Sequence, residues 1–429
     1  MKRSTIKSDA HLSLMLGIFA FLIALAVDLI RGFEYVILQA DGKNDYVTQA
    51  NEMLQGFDYM VANPNPLGHG IGFSFLIALT FAVTGSKSFI LLKIILALCH
   101  AVSALLLSKI GQKIELPRPA WIAATLIYAI DPFILFAVSD VTTEAITTLA
   151  VIYWAYLYLH TELLTKILKF HAALFFFSGF YLVTARPNSI LPLTVITIML
   201  ALKWKQQGLG FKTTLMLSQF FLAPLIFFEY LISKIYNGFV FLSPAGGVNA
   251  EFMCSKEFVP QYVGIISQAE NTRINNWWYG ASKSSEILAA QNSYSIPKLN
   301  AELWQVGIQK CLEDPLTSTG VLAIKPFALW RPYVVFGAYS PSVFVISLLV
   351  WVPLSLATLY VLTKRTSNRN LHLLKIYFIM LAVTFTISLE ITPTQIRHRV
   401  AVAEPFYWIF ALVVVTQVIK HLRREKQRL

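Results

Sequence analysis

Charge is what this chain lacks most. Asp, Glu, Lys and Arg make up 14% of its 429 residues, while 56% are hydrophobic and the mean hydropathy is +0.61. Soluble domains carry about 25% charged residues, so a water-soluble globular fold is excluded and a polytopic membrane protein is expected. The chain also has little cysteine, no low-complexity tract and no internal repeat. The absent repeat argues against the paired-repeat architecture common among transporters. No contiguous basic face exists either. The formal charge is +12, but the Lys and Arg sit between apolar runs and at the two termini. That placement orients membrane proteins and speaks against a nucleic-acid partner.

Apolar runs near the roughly 20 residues needed to cross a bilayer fall at 11–30, 89–108, 119–138, 144–163, 170–185, 188–203, 213–234, 341–362, 372–390 and 400–420. The first run follows Met1-Lys2-Arg3 and has no convincing small-residue cleavage site, so it reads as an uncleaved helix rather than a signal peptide. An eleventh run, Ile71–Thr84, is short. If it dips into the membrane and returns, and the N-terminus is cytoplasmic, twenty of the 35 Lys and Arg fall in cytoplasmic segments. If it crosses, every later loop flips and the bias largely reverses. The expectation is therefore an all-α polytopic bundle of about ten spans, both termini cytoplasmic, with 71–84 embedded from the outer side.

Three parts follow: a transmembrane module over 1–235 with a long first outer loop (31–86), a large extracytoplasmic loop over 236–340, and a transmembrane module over 341–429. In the first loop Asn44 can cap a helix with Asp45 in its first turn. Tyr46, Val47, Ala50, Met53, Leu54 and Phe57 form its apolar stripe, and Gly56 ends it. Such a helix is expected on the outer leaflet surface. In the large loop Pro297–Leu312 reads as a helix, and Ile324–Val335 lies along the membrane. Trp277-Trp278-Tyr279 reads first as an interface anchor, with sugar stacking as the alternative. Cys254 and Cys311 share this loop and could pair in an oxidising compartment. Cys99, in mid-span, is a packing residue.

The ionisable residues near the outer face come from distant segments: Asp41 and Asp45, then Asp140 and Glu144, then Arg186, then Arg397-His398-Arg399. Carboxylates can act as bases or hold a metal. Guanidiniums bind phosphate through paired hydrogen bonds. Together, at a lipid surface, they fit a lipid-linked phosphate. Each has a plainer reading. Asp41 and Asp45 can be a solvated loop and a helix start. Asp140 and Glu144 can cap the helix after Val141. Arg186 and Arg399 can reach for lipid phosphates. Arg397-His398-Arg399 runs against the charge bias, which makes it the stronger signal. His69 is a loop residue that could touch substrate. Asp28 pairs locally or faces the bundle.

The ordered set resembles the GT-C superfamily of integral membrane glycosyltransferases, notably bacterial relatives of dolichyl-phosphate-mannose–protein mannosyltransferases and of lipid A aminoarabinose transferases. The resemblance rests on Asp41…Asp45-Tyr46 with Ala50, Leu54 and Gly56; Asn65-Pro66-Leu67-Gly68 before 75–85; Asp131-Pro132-Phe133…Thr143-Glu144; Thr184-Ala185-Arg186-Pro187; Glu313-Asp314-Pro315; and Arg397-His398-Arg399-Val400…Glu404-Pro405. It implies a polyprenyl-phosphate-sugar donor, a glycan, lipid or protein acceptor, and surrounding membrane lipids as partners, at a plasma (inner) membrane with the site on the extracytoplasmic face. It implies Asp41 or Asp45 as general base, Arg186, Arg397 and Arg399 on the donor phosphate, Glu144 as second acidic residue beside Asp140, and His69 and His398 near substrate. A phosphate leaving group met by two arginines does not strictly need a metal, although Asp41 or Asp45 with Glu144 could hold Mg²⁺ or Mn²⁺. The competing readings are a polymerase or ligase of lipid-linked glycans and a non-enzymatic lipid-glycan translocator.

Overall fold

The computed structural model describes residues 2–36, 46–63, 70–160, 165–243, 245–291, 295–390 and 397–427. Among them every regular element is helical. The first module holds α1 (Lys2–Arg31), α2 (Val47–Leu54), α3 (Phe57–Ala62), α4 (Ile71–Thr84), α5 (Ile90–Lys113), α6 (Arg118–Ile130), α7 (Pro132–Val138), α8 (Glu144–Leu159), α9 (Thr165–Ala185), α10 (Ile190–Gln206) and α11 (Phe211–Ile235). The large loop folds into α12 (Ala245–Glu251), α13 (Val259–Val263), α14 (Gln268–Gln291), α15 (Ile296–Glu313) and α16 (Pro315–Trp330). The last module holds α17 (Pro341–Thr363), α18 (Arg369–Leu389), α19 (Arg397–Val402) and α20 (Glu404–Lys426).

Eight of these helices are long and apolar enough to cross a bilayer, nine if the α6–α7 pair, bent by 54°, is one span. The break in that pair has local causes. Pro132 cannot donate an amide hydrogen bond. The Asp131 carboxylate takes the Phe133 and Ile134 amides at 2.9 and 3.2 Å. His100 Nε2 meets the Ala129 carbonyl at 3.3 Å, and Trp408 Nε1 donates to the other Asp131 oxygen at 2.9 Å. The polar groups freed by the break are thus satisfied inside the bundle, as lipid requires.

Helices α1 and α5 run antiparallel. Lys93 meets Asp28 at 3.2 Å near one end, and Gln112 donates to Ser13 at 2.9 Å near the other. The chain from Arg31 to Ile90 therefore leaves and re-enters at the same end. Glu34 fixes this: its carboxylate accepts from Ser88 Oγ at 2.5 Å and from the Phe89 amide at 3.3 Å. Within the excursion, α4 has 14 residues, a length of about 21 Å against roughly 30 Å of hydrocarbon. It ends at Gly85, whose φ of +64° is the left-handed conformation that glycine adopts without penalty. Phe75, Leu79 and Val83 form its exposed stripe, while Phe73, Ile77 and Phe81 are buried. The far end of the bundle is marked by Asn368 and Asn370, which donate to the carbonyls of Ile114 and Lys113 at 2.9 and 2.8 Å.

Two expectations change. The stripe of α2 does not all face outward: Ala50 is fully buried, Tyr46 packs edge-on against Phe73 at 5.1 Å, and Gln49 accepts from Ser74 at 2.8 Å, so α4 covers much of it. Asn44 and Asp45 lie outside the described residues. Trp277 and Trp278 also have a packing role that the linear pattern did not give them. Trp277 sits edge-on to Phe252 and Phe258 at 5.6 and 5.7 Å, half-buried against the small core that holds Tyr262, Leu299, Leu303 and Val321. Enough apolar side chains converge in this unit to half-cover the two tryptophans. Cys254 and Cys311 are joined by a disulfide with Cα atoms 5.5 Å apart, stapling the segment after α12 to α15.

Candidate functional site

The first turns of α8 form the hub. Arg186, just past α9, reaches Glu144 at 3.9 Å and donates to Thr147 Oγ1 at 3.4 Å. Glu144 and Thr147 are one turn apart on α8, so one helix face presents both to the guanidinium. The adjacent Thr148 donates to the Ala401 carbonyl at 2.9 Å, which holds α19 against the same turn. Asp140 accepts from the Val141 amide at 2.9 Å, and Arg31 donates to Ser139 Oγ at 3.0 Å. Asp140, Glu144 and Arg186 are all buried. The turn from Ser139 to Glu144 therefore lies at the Arg31 end of the bundle, where the first loop also begins and ends.

That loop touches the hub directly. Gly70 and Gly72 press on Thr184 and Ala185, the residues before Arg186. A Cβ on Gly70 would lie 2.4 Å from the Thr184 carbonyl oxygen, and one on Gly72 2.5 Å from Thr184 Oγ1. Only glycine allows so close an approach. The start of α4 is thus fixed against the segment that positions Arg186.

Arg399 has different company. Its guanidinium pairs with Glu404 at 3.0 Å, both side chains fully buried, lies 4.2 Å from the Trp351 ring centroid, and donates to the Arg331 carbonyl. Arg399 Nε and Glu404 Oε2 are buried without a hydrogen-bond partner. To meet a phosphate, Arg399 would have to exchange Glu404 for it.

Charges that the sequence reading passed over join this neighbourhood to the small domain. Arg331 is buried and donates to the carbonyls of Gln261 and Tyr262, both at 2.6 Å; burial lowers its pKa to about 10. Lys325 is 1% exposed and donates to the Glu390 carbonyl. Burial lowers its pKa to about 8, partly offset by the nearby Glu390 carboxylate. Trp330 Nε1 donates to Thr386 at 2.8 Å. The end of α16 is therefore bound to α18 and α19 rather than simply resting on lipid. The only signal available was two cations beside Trp330 in an apolar helix end, and that pattern equally describes an interfacial anchor.

Of the residues singled out, Glu144 and Arg186 are brought together, with Asp140 in the turn leading to them, and Arg399, from α19, the helix that Thr148 holds against α8, is paired with Glu404. Asp41, Asp45 and His69 lie outside the described residues. Arg397 and His398 open α19, but their side chains lie outside the described residues. Among the described residues no group of three or more His, Cys, Asp or Glu comes together to hold a metal. Mg²⁺ or Mn²⁺ would need ligands from the first loop beside Glu144. A depression of about 420 Å³ lined by Gln268, Phe336 and Tyr339 lies by the large loop, apart from these charges. No family model matches the chain, and no curated protein matches its sequence.

Proposed function

We propose that the chain is an integral membrane glycosyltransferase of GT-C type, transferring a sugar from a polyprenyl-phosphate donor to a glycan, lipid or protein acceptor on the extracytoplasmic face. In this reading α4 is a membrane-dipping helix, ten segments span the bilayer, and the Lys113 end, rich in Lys and Arg, faces the cytoplasm of a plasma membrane. The observation that carries the reading is the meeting of distant segments at one end of the bundle: the start of α4, the turn before α8 with Glu144, the Thr184–Arg186 segment, and α19.

The chemistry is displacement at the anomeric carbon. Asp41 or Asp45 removes the proton of the acceptor hydroxyl as its oxygen bonds to the sugar. The bond from the anomeric carbon to the phosphate oxygen breaks, and the polyprenyl phosphate leaves with the electron pair. Arg186, steadied by Glu144 and Thr147, stabilises the departing phosphate in a site of low dielectric. Glycosyl transfer from a lipid-linked donor, assayed in membranes, tests this. Asp41→Asn and Asp45→Asn, singly and together, are expected to abolish transfer in at least one single variant and in the double variant. Full activity in the double variant overturns the mechanism.

A further inference from the structure

Beyond α11 the chain makes a short extended excursion that the proposed chemistry does not use. Residues 239–242 alternate: Phe239 and Phe241 are 69% and 50% exposed, while Val240 and Leu242 are each 1% exposed. Val240 packs with Ile71, Ile232, Ile235 and Tyr236. Leu242 joins the main bundle core. The two exposed rings lie 6.3 Å apart. The backbone is held in an unusual shape to do this. Asn237 and Leu242 have φ of +50° and +62°, a region asparagine enters more readily than most residues but a bulky one such as leucine rarely does. The Leu242 amide is held there by Glu229 Oε1 at 3.0 Å, and the Gly238 amide by the Ser233 carbonyl at 3.0 Å. Backbone strain of this kind persists only where surrounding contacts impose it.

We propose that Phe239 and Phe241 insert into the lipid leaflet at the Arg31 end and anchor the large loop to the membrane surface. Position points to lipid: the rings come within six residues of Ile235, the last residue of a membrane-length helix, at the level where acyl chains meet headgroups. Chemistry does too. A sugar platform uses Trp or Tyr, which add a hydrogen bond to their ring face, whereas two phenylalanines offer only apolar surface, suited to acyl chains. The anchor has a mechanical partner. Val240 shares a small apolar cluster with Ile71 at the start of α4, which links the anchored segment to the first loop.

The test is collision accessibility of a spin label. Phe239→Cys, Phe241→Cys and a water-exposed control, Asn276→Cys, are made in a Cys99→Ser background, labelled, and reconstituted in vesicles of mixed phosphatidylcholine and phosphatidylglycerol. Oxygen, which concentrates in lipid, should dominate relaxation at 239 and 241, and a soluble nickel chelate should dominate at 276. Dominance of the nickel chelate at 239 and 241 overturns the proposal by placing the rings in water. Low accessibility to both reagents overturns it too, by placing them under protein. The unsubstituted chain gives an independent reading: a phospholipid with a photoreactive acyl chain should label the peptide spanning 239–241, and absence of adducts there counts against insertion. Neither measurement depends on glycosyl transfer, so the anchor and the proposed activity stand or fall separately.

Discussion

Arg186 and Glu144 face each other at 3.9 Å from the ends of two helices, both side chains buried, with Thr147 a turn along on the same guanidinium. Removing one member of a buried pair costs about 3–5 kcal/mol, because the other charge is left uncompensated. Arg186→Ala should lower thermal stability in detergent, and adding Glu144→Gln should recover part of the loss. Arg186→Lys keeps the charge but loses the planar fork. If Arg186 meets the donor phosphate, the lysine variant should be near wild type in stability and at least tenfold slower in transfer, on the order of 1.4 kcal/mol. Equal activity would make Arg186 purely structural.

Arg399 and Glu404 offer the converse test. Arg399→Ala alone should destabilise strongly, for the same reason. Replacing both with apolar residues of similar size, Arg399→Met with Glu404→Leu, should restore stability, since a buried pair is often exchangeable for packing. Transfer by the refolded double variant then decides the role of Arg399. Retained transfer confines it to the fold, and lost transfer gives it to the donor.

The close approach of α4 to Thr184 predicts sensitivity at two positions. Gly70→Ala and Gly72→Ala each force a methyl into backbone atoms of 184–185. Overpacking of this kind costs about 1–3 kcal/mol. Both variants should melt earlier, and transfer should fall more than melting explains, because the displaced segment carries Arg186. A spin-label distance from α4 to α9 checks the displacement.

Lys325 gives a pH dependence. Its pKa is about 8 in the fold against an ordinary 10.5. Below 8 both folded and unfolded chains hold the proton, and the penalty of burying the charge is present in full. Between 8 and 10.5 the unfolded chain binds the proton that the fold has released, so stability rises with pH; above 10.5 the penalty is gone. Relative to Lys325→Met, wild type should gain stability as pH rises across this window. Melting curves of both proteins at several pH values check it, and parallel curves would refute it.

Eight of the ten apolar runs form helices of membrane length and a ninth forms the bent α6–α7 pair, because lipid demands long apolar runs; the run from 144 gives only the 16-residue α8. The brevity of 71–84 was equally plain, and Glu34 with Ser88 supplies the geometry that composition could only imply. Glu144 and Arg186 could be singled out because a charge near a membrane face needs an explanation. Their partners could not. Nothing near Arg399 in sequence says that Glu404, rather than a ligand, takes its charge. Nothing marks Lys325 as bound to a carbonyl 65 residues away. The packing of Trp277 was hidden for a related reason. An aromatic pair in a membrane protein suggests an interface, while the separate core it packs on forms from residues spread over 248–328.

Asp28 and Lys93, 65 residues apart, bear on how the chain enters the bilayer. Each lies within a turn of its helix end, and a buried charge left without its partner is costly there, so the end of α1 and the start of α5 are best lodged together. The unit that lipid accepts is the hairpin of the two. The first loop, with α4, is then tied at its two ends by one ion pair, and losing either charge should loosen both ends at once.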